Sequence, residues 1–187
     1  MSQERYPKEV VLKDGTEIIL RTVCDDDLEN LVQFYKDTQL SFRWFLKEDP
    51  CDPEVVRKWL DNQKAGKSFS IVATCQEMIV GNAAMLMRPY GGRKHVGRLR
   101  TMVAHDFTNK QLGTWMVFDL TKRAMEMGLE KIRADFVVGV EDVAIRAFRN
   151  MDFVEEGLLR NYIRDENGTY HDYKIMIKQL HRVWSDF

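Results

Sequence analysis

The sequence is short of anything that would staple, anchor or polarise it. It holds three cysteines, Cys24, Cys51 and Cys75, set far apart. They make no Cys-x-x-Cys pair and share no metal-ligand spacing with His95, His105, His171 or His181. The odd count argues against a disulfide framework, and no metal is expected. No apolar run approaches the roughly 20 residues of a membrane span. The start, Met1 to Glu9, is polar and lacks an apolar signal core. A reducing cytoplasm without membrane attachment is the expectation. Net charge is nearly absent too. Against 28 Lys and Arg stand 29 Asp and Glu, a formal net of −1. That removes any electrostatic argument for nucleic acid as a partner. Linkers, low-complexity tracts and internal repeats are missing, so residues 1–187 read as a single domain.

What is present is clear periodicity. Asp14-Gly15 signals a turn before a short strand, Glu17 to Val23. Asp25 to Asp27 offer a helix N-cap and acidic first-turn charge. Leu28, Leu31, Val32 and Tyr35 follow at helical spacing. Asp52-Pro53 starts a second helix, whose inner face is Val56, Trp59, Leu60 and Gln63, and Gly66 ends it. The period then changes. Phe69, Ile71 and Ala73 alternate with Ser70, Val72 and Thr74, and Met78 to Met87 reads as a strand buried on both faces. After a turn at Pro89 to Gly92 comes a strand from His95 to Val103. Leu112, Met116, Leu120, Ala124 and Met127 form one helical stripe closed by Gly128. Ile132 to Val138 is a strand reached through that helix, which favours a parallel, right-handed crossover. Ala144, Ala147, Phe148 and Met151 mark a further helix. Val154 to Ile163 and Tyr170 to Lys178 are strands joined at Asn167-Gly168. The order predicts an α/β (α+β) domain with a mixed, mostly antiparallel sheet of seven strands and about four helices.

The segment richest in chemistry runs from Val103 through Lys110, Gln111, Leu112 and Gly113 to Thr114. It links a strand to a helix N-terminus. The first turn of a helix leaves backbone N–H groups without internal partners, and with the helix dipole they suit a diphosphate. Lys110 adds a point charge, and Gly113 permits close approach of the backbone. Taken alone, these features describe an ordinary helix start as well as a phosphate cradle.

The element order and this loop resemble the GNAT superfamily of N-acetyltransferases. That family carries Arg/Gln-x-x-Gly-x-Gly/Ala between its fourth strand and third helix. The aligned positions are Thr108, Asn109, Lys110, Gln111, Leu112 and Gly113, of which the last glycine matches. The next family helix begins Asn-x-x-Ala and runs through Tyr to Gly-Phe. Here Ala144 and Phe153 match, while Glu141, Phe148 and Asp152 replace Asn, Tyr and Gly. Gly168-Thr-Tyr170-His-Asp172 resembles the family's Gly-x-Tyr-x-Asp hairpin. The opening, Leu12 to Arg21 followed by Asp25 to Asp27, resembles bacterial protein-lysine acetyltransferase domains.

The resemblance implies a GNAT-like fold that uses acetyl-CoA or another short acyl-CoA as cosubstrate. Transfer would be by direct attack of a primary amine: a protein lysine, an N-terminus or a small molecule. Pantetheine would lie along backbone groups at Met102, Val103 and Ala104, one N–H polarising the thioester carbonyl. Asn109, Lys110 and the amides of Gln111, Leu112, Gly113 and Thr114 would hold the pyrophosphate, with Phe148 packing on the pantetheine or in the core. A negative φ at Gln111, as in a helical first turn, would keep its N–H correctly aimed. The family's tyrosine acid is replaced by Phe148, and the glutamate base of protein-lysine acetyltransferases by Arg98. Glu141, Asp135 and His105 are the substitute proton acceptors to consider, and Tyr162, Tyr170 and Tyr173 could line an acceptor cleft. These replacements leave a second reading, an acyl-CoA-binding sensor or interaction module that transfers weakly or not at all. Exposed strands and the final hairpin allow a homodimer.

Overall fold

The computed structural model describes residues 6–180. The polar start before Tyr6 and His181 lie outside them. Eight strands form one sheet in the order β1-β2-β3-β4-β5-β6-β8-β7. The sheet is antiparallel except where β5 (Val96–Val103) meets β6 (Lys131–Val137). The mixed, mostly antiparallel architecture is the expected one. The additional strand is β1 (Lys8–Val11), which pairs with β2 (Glu17–Thr22) around the Asp14-Gly15 turn. Four residues are too few to show a period, so this edge strand was not legible in advance. With β1 counted, the strand that the family resemblance calls the fourth is β5.

The helices divide between the two faces. On one lie α1 (Leu28–Asp37) and α3 (Pro53–Lys64), whose Leu31, Tyr35, Val56 and Leu60 bury against Val72 and Ile79. A short helix, α2 (Leu40–Arg43), connects them. Pro53 occupies the first turn of α3, and the Asp52 carboxylate accepts the Glu54 N–H at 2.9 Å. The expected cap on α1 takes another form. Asp25–Asp27 wind into a 3-10 turn, and Asp27 faces back to Arg21 at 2.6 Å and to the Cys24 N–H at 2.9 Å.

The opposite face carries α4 (Leu112–Glu126) and α5 (Asp142–Arg149). Leu112, Met116, Leu120 and Ala124 are each 0% exposed, the stripe that the four-residue steps predicted. Burial of each large member contributes roughly 1.5–3 kcal/mol. A polar tie crosses this layer. Asp119, fully buried in α4, accepts from the Tyr6 hydroxyl and pairs with Lys8 at 3.1 Å. The start of β1 is thereby fastened to the helix that follows β5. Gly97 shows how tightly β5 is set, because a Cβ there would collide with Met85 and Leu129. The last two strands, β7 (Val154–Arg164) and β8 (Tyr170–Gln179), form the predicted hairpin, with Gly168 at φ +87° in its turn.

Candidate active site

The decisive feature is a place where the sheet comes apart. β5 and β6 pair only through Val96–Lys131, Gly97–Ile132 and Arg98–Arg133. Beyond Arg98 both strands continue, β5 held by β4 (Met78–Leu86) as far as Val103 and β6 held by β8 as far as Val137. Two strand edges therefore face each other without bonding. Ala104 donates its N–H to Val80 O at 2.9 Å, on the β4 side. Alternation along the strand then turns the backbone groups of Leu99, Thr101 and Val103 toward the gap, and those of Arg100 and Met102 away from it. Of the three backbone positions expected to meet pantetheine, Val103 faces the gap. Met102 and Ala104 face β4, so the expectation for their backbone groups is corrected.

The gap leads to the start of α4. No side chain caps that N-terminus. The first-turn amides of Leu112, Gly113 and Thr114 lack intrahelical partners by construction, while the Leu112 side chain is in the core. Gln111 precedes them at φ +72° and Asn109 has φ +59°. The condition of a negative φ at Gln111, which would have aimed its N–H as in a helical first turn, is not met. The backbone there keeps the left-handed shape that a glycine would favour, although the residue is glutamine. Asp152, standing for the family's other glycine, does the same at φ +64°. Lys110 is already engaged. Its ammonium contacts Asp14 Oδ2 at 2.8 Å and lies 5.2 Å from the centre of the Phe107 ring.

The candidate proton acceptors separate sharply. Glu141 precedes α5, and its Oε2 accepts the Val137 N–H at 2.6 Å. Val137 belongs to the splayed part of β6, so this carboxylate stands at the rim of the gap. Desolvation pushes its pKa up to about 7, overcoming the Val137 hydrogen bond, and Asp135 adds to the rise. Asp135 itself is 2% exposed and lies between Arg133 at 2.6 Å and Arg98 at 2.8 Å. Both oxygens face guanidinium groups, which explains an aspartate in an apolar strand as an ion cluster closing the fork. His105 is exposed on a 3-10 turn after β5. Phe148 is 6% exposed, its ring 4.8 Å from both Phe136 and Phe153. The core takes it up, so of its two expected positions the ring adopts the buried one.

Over β3 (Ser68–Cys75), β4 and β5, on the α1 and α3 face, lies a cavity with an open mouth. Tyr35, Leu46, Trp59 and Leu60 form its apolar wall, and Arg100, Thr101 and Met102 bring the splayed part of β5 to its edge. Tyr173, from β8, accepts a hydrogen bond from Arg98 at 3.1 Å and lies 5.6 Å ring to ring from Tyr162. Burial raises the Tyr173 pKa, with Asp135 reinforcing the rise. Arg100 was not a sequence candidate. The available signal was Arg98 and Arg100 on the same face of a strand destined for the sheet interior.

Residues 17–139 match the family model for the acetyltransferase (GNAT) domain. The chain belongs to the GNAT acetyltransferase family. Solved structures agree in fold. The ribosomal-protein-alanine N-acetyltransferase from Brucella melitensis is 25% identical with a TM-score of 0.75, covering 86% of this chain and 99% of that one. A putative acetyltransferase from Salmonella typhimurium, solved with its cofactor acetyl-CoA, has a TM-score of 0.79 at 16% identity, covering 88% and 95%. The GNAT domain of an S. lividans protein gives 0.76 at 16% identity, covering 96% and 100%. No curated protein matches the chain. In this GNAT domain, the general chemistry supported is acyl transfer from acetyl-CoA. Among the described residues, no helix is long and apolar enough to cross a membrane.

Proposed function

We propose that this single-domain protein is an N-acetyltransferase that moves an acetyl or other short acyl group from acyl-CoA to a primary amine. The observation that carries the reading is the splay of β5 from β6, running into the uncapped N-terminus of α4. Unpaired strand edges suit a pantetheine arm as an added strand, and the α4 amides suit its pyrophosphate. The acceptor cavity opens at the same stretch of β5. The amine nitrogen attacks the thioester carbon, the C–S bond breaks and coenzyme A departs as a thiolate. A backbone N–H on the free edge of β5, with Val103 the leading candidate, stabilises the oxygen that gains charge. The amine proton passes to Glu141, directly or through water, because a carboxylate near neutrality is matched to that transfer. Holding the two reactants together supplies much of the acceleration, worth roughly 7–11 kcal/mol in favourable cases.

The core position of Phe148 favours a second reading, an acyl-CoA-binding module with little turnover, since no tyrosine occupies that place to protonate the thiolate. Calorimetry with acetyl-CoA tests what both readings share. Failure to bind and to raise the melting temperature removes them together. Thiol release across an amine panel then separates them, with turnover supporting the enzyme and none with any acceptor favouring the module.

A further inference from the structure

Arg100 makes no hydrogen bond or salt bridge with any described residue. It is half-buried at the edge of the cavity, and the cavity wall contains no carboxylate. Burial, followed by the nearby charge of Arg98, pulls its pKa below the ordinary guanidinium value. The neighbours that partly offset it, Tyr35, Glu48 and Tyr173, make their own hydrogen bonds to other described residues. Glu48 is held by Lys58 at 2.6 Å and by Trp59 Nε1 at 3.2 Å. The Tyr35 hydroxyl donates to Asn82 Oδ1 at 2.9 Å. Asp135 is clamped by Arg98 and Arg133. The fork of the sheet thus gathers three guanidinium groups, Arg98, Arg100 and Arg133, around the Asp135 carboxylate, while Glu141 at the rim of the gap is bonded to the Val137 N–H.

A half-desolvated charge without a direct counter-ion is unfavourable, and a group that enters with the opposite charge recovers part of that cost. We infer that the acceptor is a small amine that also carries a carboxylate, an amino-acid-like molecule, with Arg100 binding the carboxylate while the amine points at the β5–β6 gap. This rests on the acyltransferase reading for the position of the amine; the anion site stands on the cavity alone. Tyr35, Leu46, Trp59 and Leu60 would enclose an apolar side chain. A planar guanidinium suits a carboxylate through paired hydrogen bonds.

The test compares each of phenylalanine, methionine and tryptophan with the amine lacking its carboxylate: phenethylamine, 3-(methylthio)propylamine and tryptamine. Thiol release with acetyl-CoA is read for the wild type and for Arg100→Met and Arg100→Lys. The expected result is a kcat/KM roughly 10- to 100-fold higher for the carboxylated member of at least one pair. Arg100→Met should bring that ratio close to one, and Arg100→Lys should retain part of it. Calorimetry of the same compounds without acyl donor gives an independent readout, with the carboxylated compound binding the wild type more tightly than Arg100→Met. Melting temperature guards against misfolding, since replacing a half-buried charge that has no direct partner should leave it unchanged or raise it. Equal or better use of the decarboxylated amines, a preference that survives Arg100→Met, or a peptide N-terminus that outpaces every amino acid would overturn the inference. If the amino acids bind but acetyl-CoA does not, the enzyme reading falls and the anion site remains. If acetyl-CoA binds but no carboxylated compound does, the anion site falls alone.

Discussion

The Glu141 carboxylate and the Val137 amide meet at 2.6 Å, at the point where β6 has already left β5. Desolvation nevertheless dominates and raises the Glu141 pKa from 4.5 to about 7. A carboxyl whose folded pKa is raised binds its proton more tightly in the native state. Between about pH 4.5 and 7 the native state therefore holds more protons than the unfolded chain, and stability falls as pH rises. The full penalty, on the order of 3 kcal/mol, is present above pH 7. Glu141→Gln keeps an acceptor for the Val137 N–H and removes the titration. It should raise the melting temperature at pH 8 relative to wild type and flatten its change between pH 5 and 7. If Glu141 takes the amine proton, wild-type kcat/KM should show an acidic limb near pH 7. That limb should disappear in Glu141→Gln together with a rate loss of roughly 10²- to 10⁴-fold. A stabilised variant with an unchanged pH–rate profile would assign Glu141 to the fold alone.

Gly113 separates folding from ligand binding. It lies in the first turn of α4, its φ is not positive, and an added Cβ would meet only Val103 Cγ2 at an ordinary 3.7 Å. Nothing in the protein forbids alanine there. Gly113→Ala should raise stability by up to about 0.5–1 kcal/mol through helix propensity. If the pyrophosphate approaches this backbone, the same methyl should weaken acetyl-CoA binding at least about tenfold, or 1.4 kcal/mol. Thermal melts and calorimetry read the two effects separately. Equal affinity in both proteins would remove the phosphate from the α4 N-terminus.

Gln111 makes the converse case. Its φ of +72° is strained for a side-chain-bearing residue. Gln111→Gly removes that strain but adds unfolded-state freedom, so a net gain of about 0.5–1 kcal/mol is expected. Gln111→Val, β-branched at a positive φ, should cost more than that gain and loosen acetyl-CoA binding by distorting the loop. A Gln111→Gly melting temperature below wild type would mean that the glutamine side chain contributes a contact outweighing its backbone cost.

The same two residues show what the sequence could and could not disclose. Periodicity reached α4, because Leu112, Met116, Leu120 and Ala124 repeat on one face, and it reached the parallel step from β5 to β6, because a helix intervenes. Gly113 could be aligned. Motif matching undervalued Gln111 and Asp152, because it compares residue types while the fold preserves backbone shape: both keep a positive φ without glycine. Asp135 stood out as a charge in an apolar strand, but only the packing of Arg98 and Arg133 around it reveals an ion cluster. For Arg100 the only sign was its place on the same strand face as Arg98. Its significance is the absence of a partner, which depends on where every neighbouring carboxylate points. The splay was equally hidden, since a strand that stops pairing on one edge keeps its apolar alternation while its other edge remains bonded.

Lys110 and Asp14 yield the last prediction. Their 2.8 Å contact ties the β1–β2 turn to the loop between β5 and α4, and Lys13 N–H donates to Lys110 O at 3.3 Å across the same junction. Hydrogen bonding from the Lys110 side chain, and then from Thr16, holds the Asp14 carboxyl well below the usual carboxylate range. The aspartate therefore stays charged across ordinary assay pH and competes continuously with any phosphate for the lysine. Removing it should release the cation to the ligand. Asp14→Asn is expected to tighten acetyl-CoA binding several-fold at low salt, with the gain shrinking as salt rises. Lys110→Met should weaken binding by about 3- to 10-fold, and the double variant should match Lys110→Met because the aspartate then has nothing to restrain. Little change in stability is expected, since both side chains are partly exposed and such pairs contribute little. Calorimetry at two salt concentrations completes the cycle. If Asp14→Asn instead weakens binding, the ion pair positions Lys110 for the phosphate and does not withhold it.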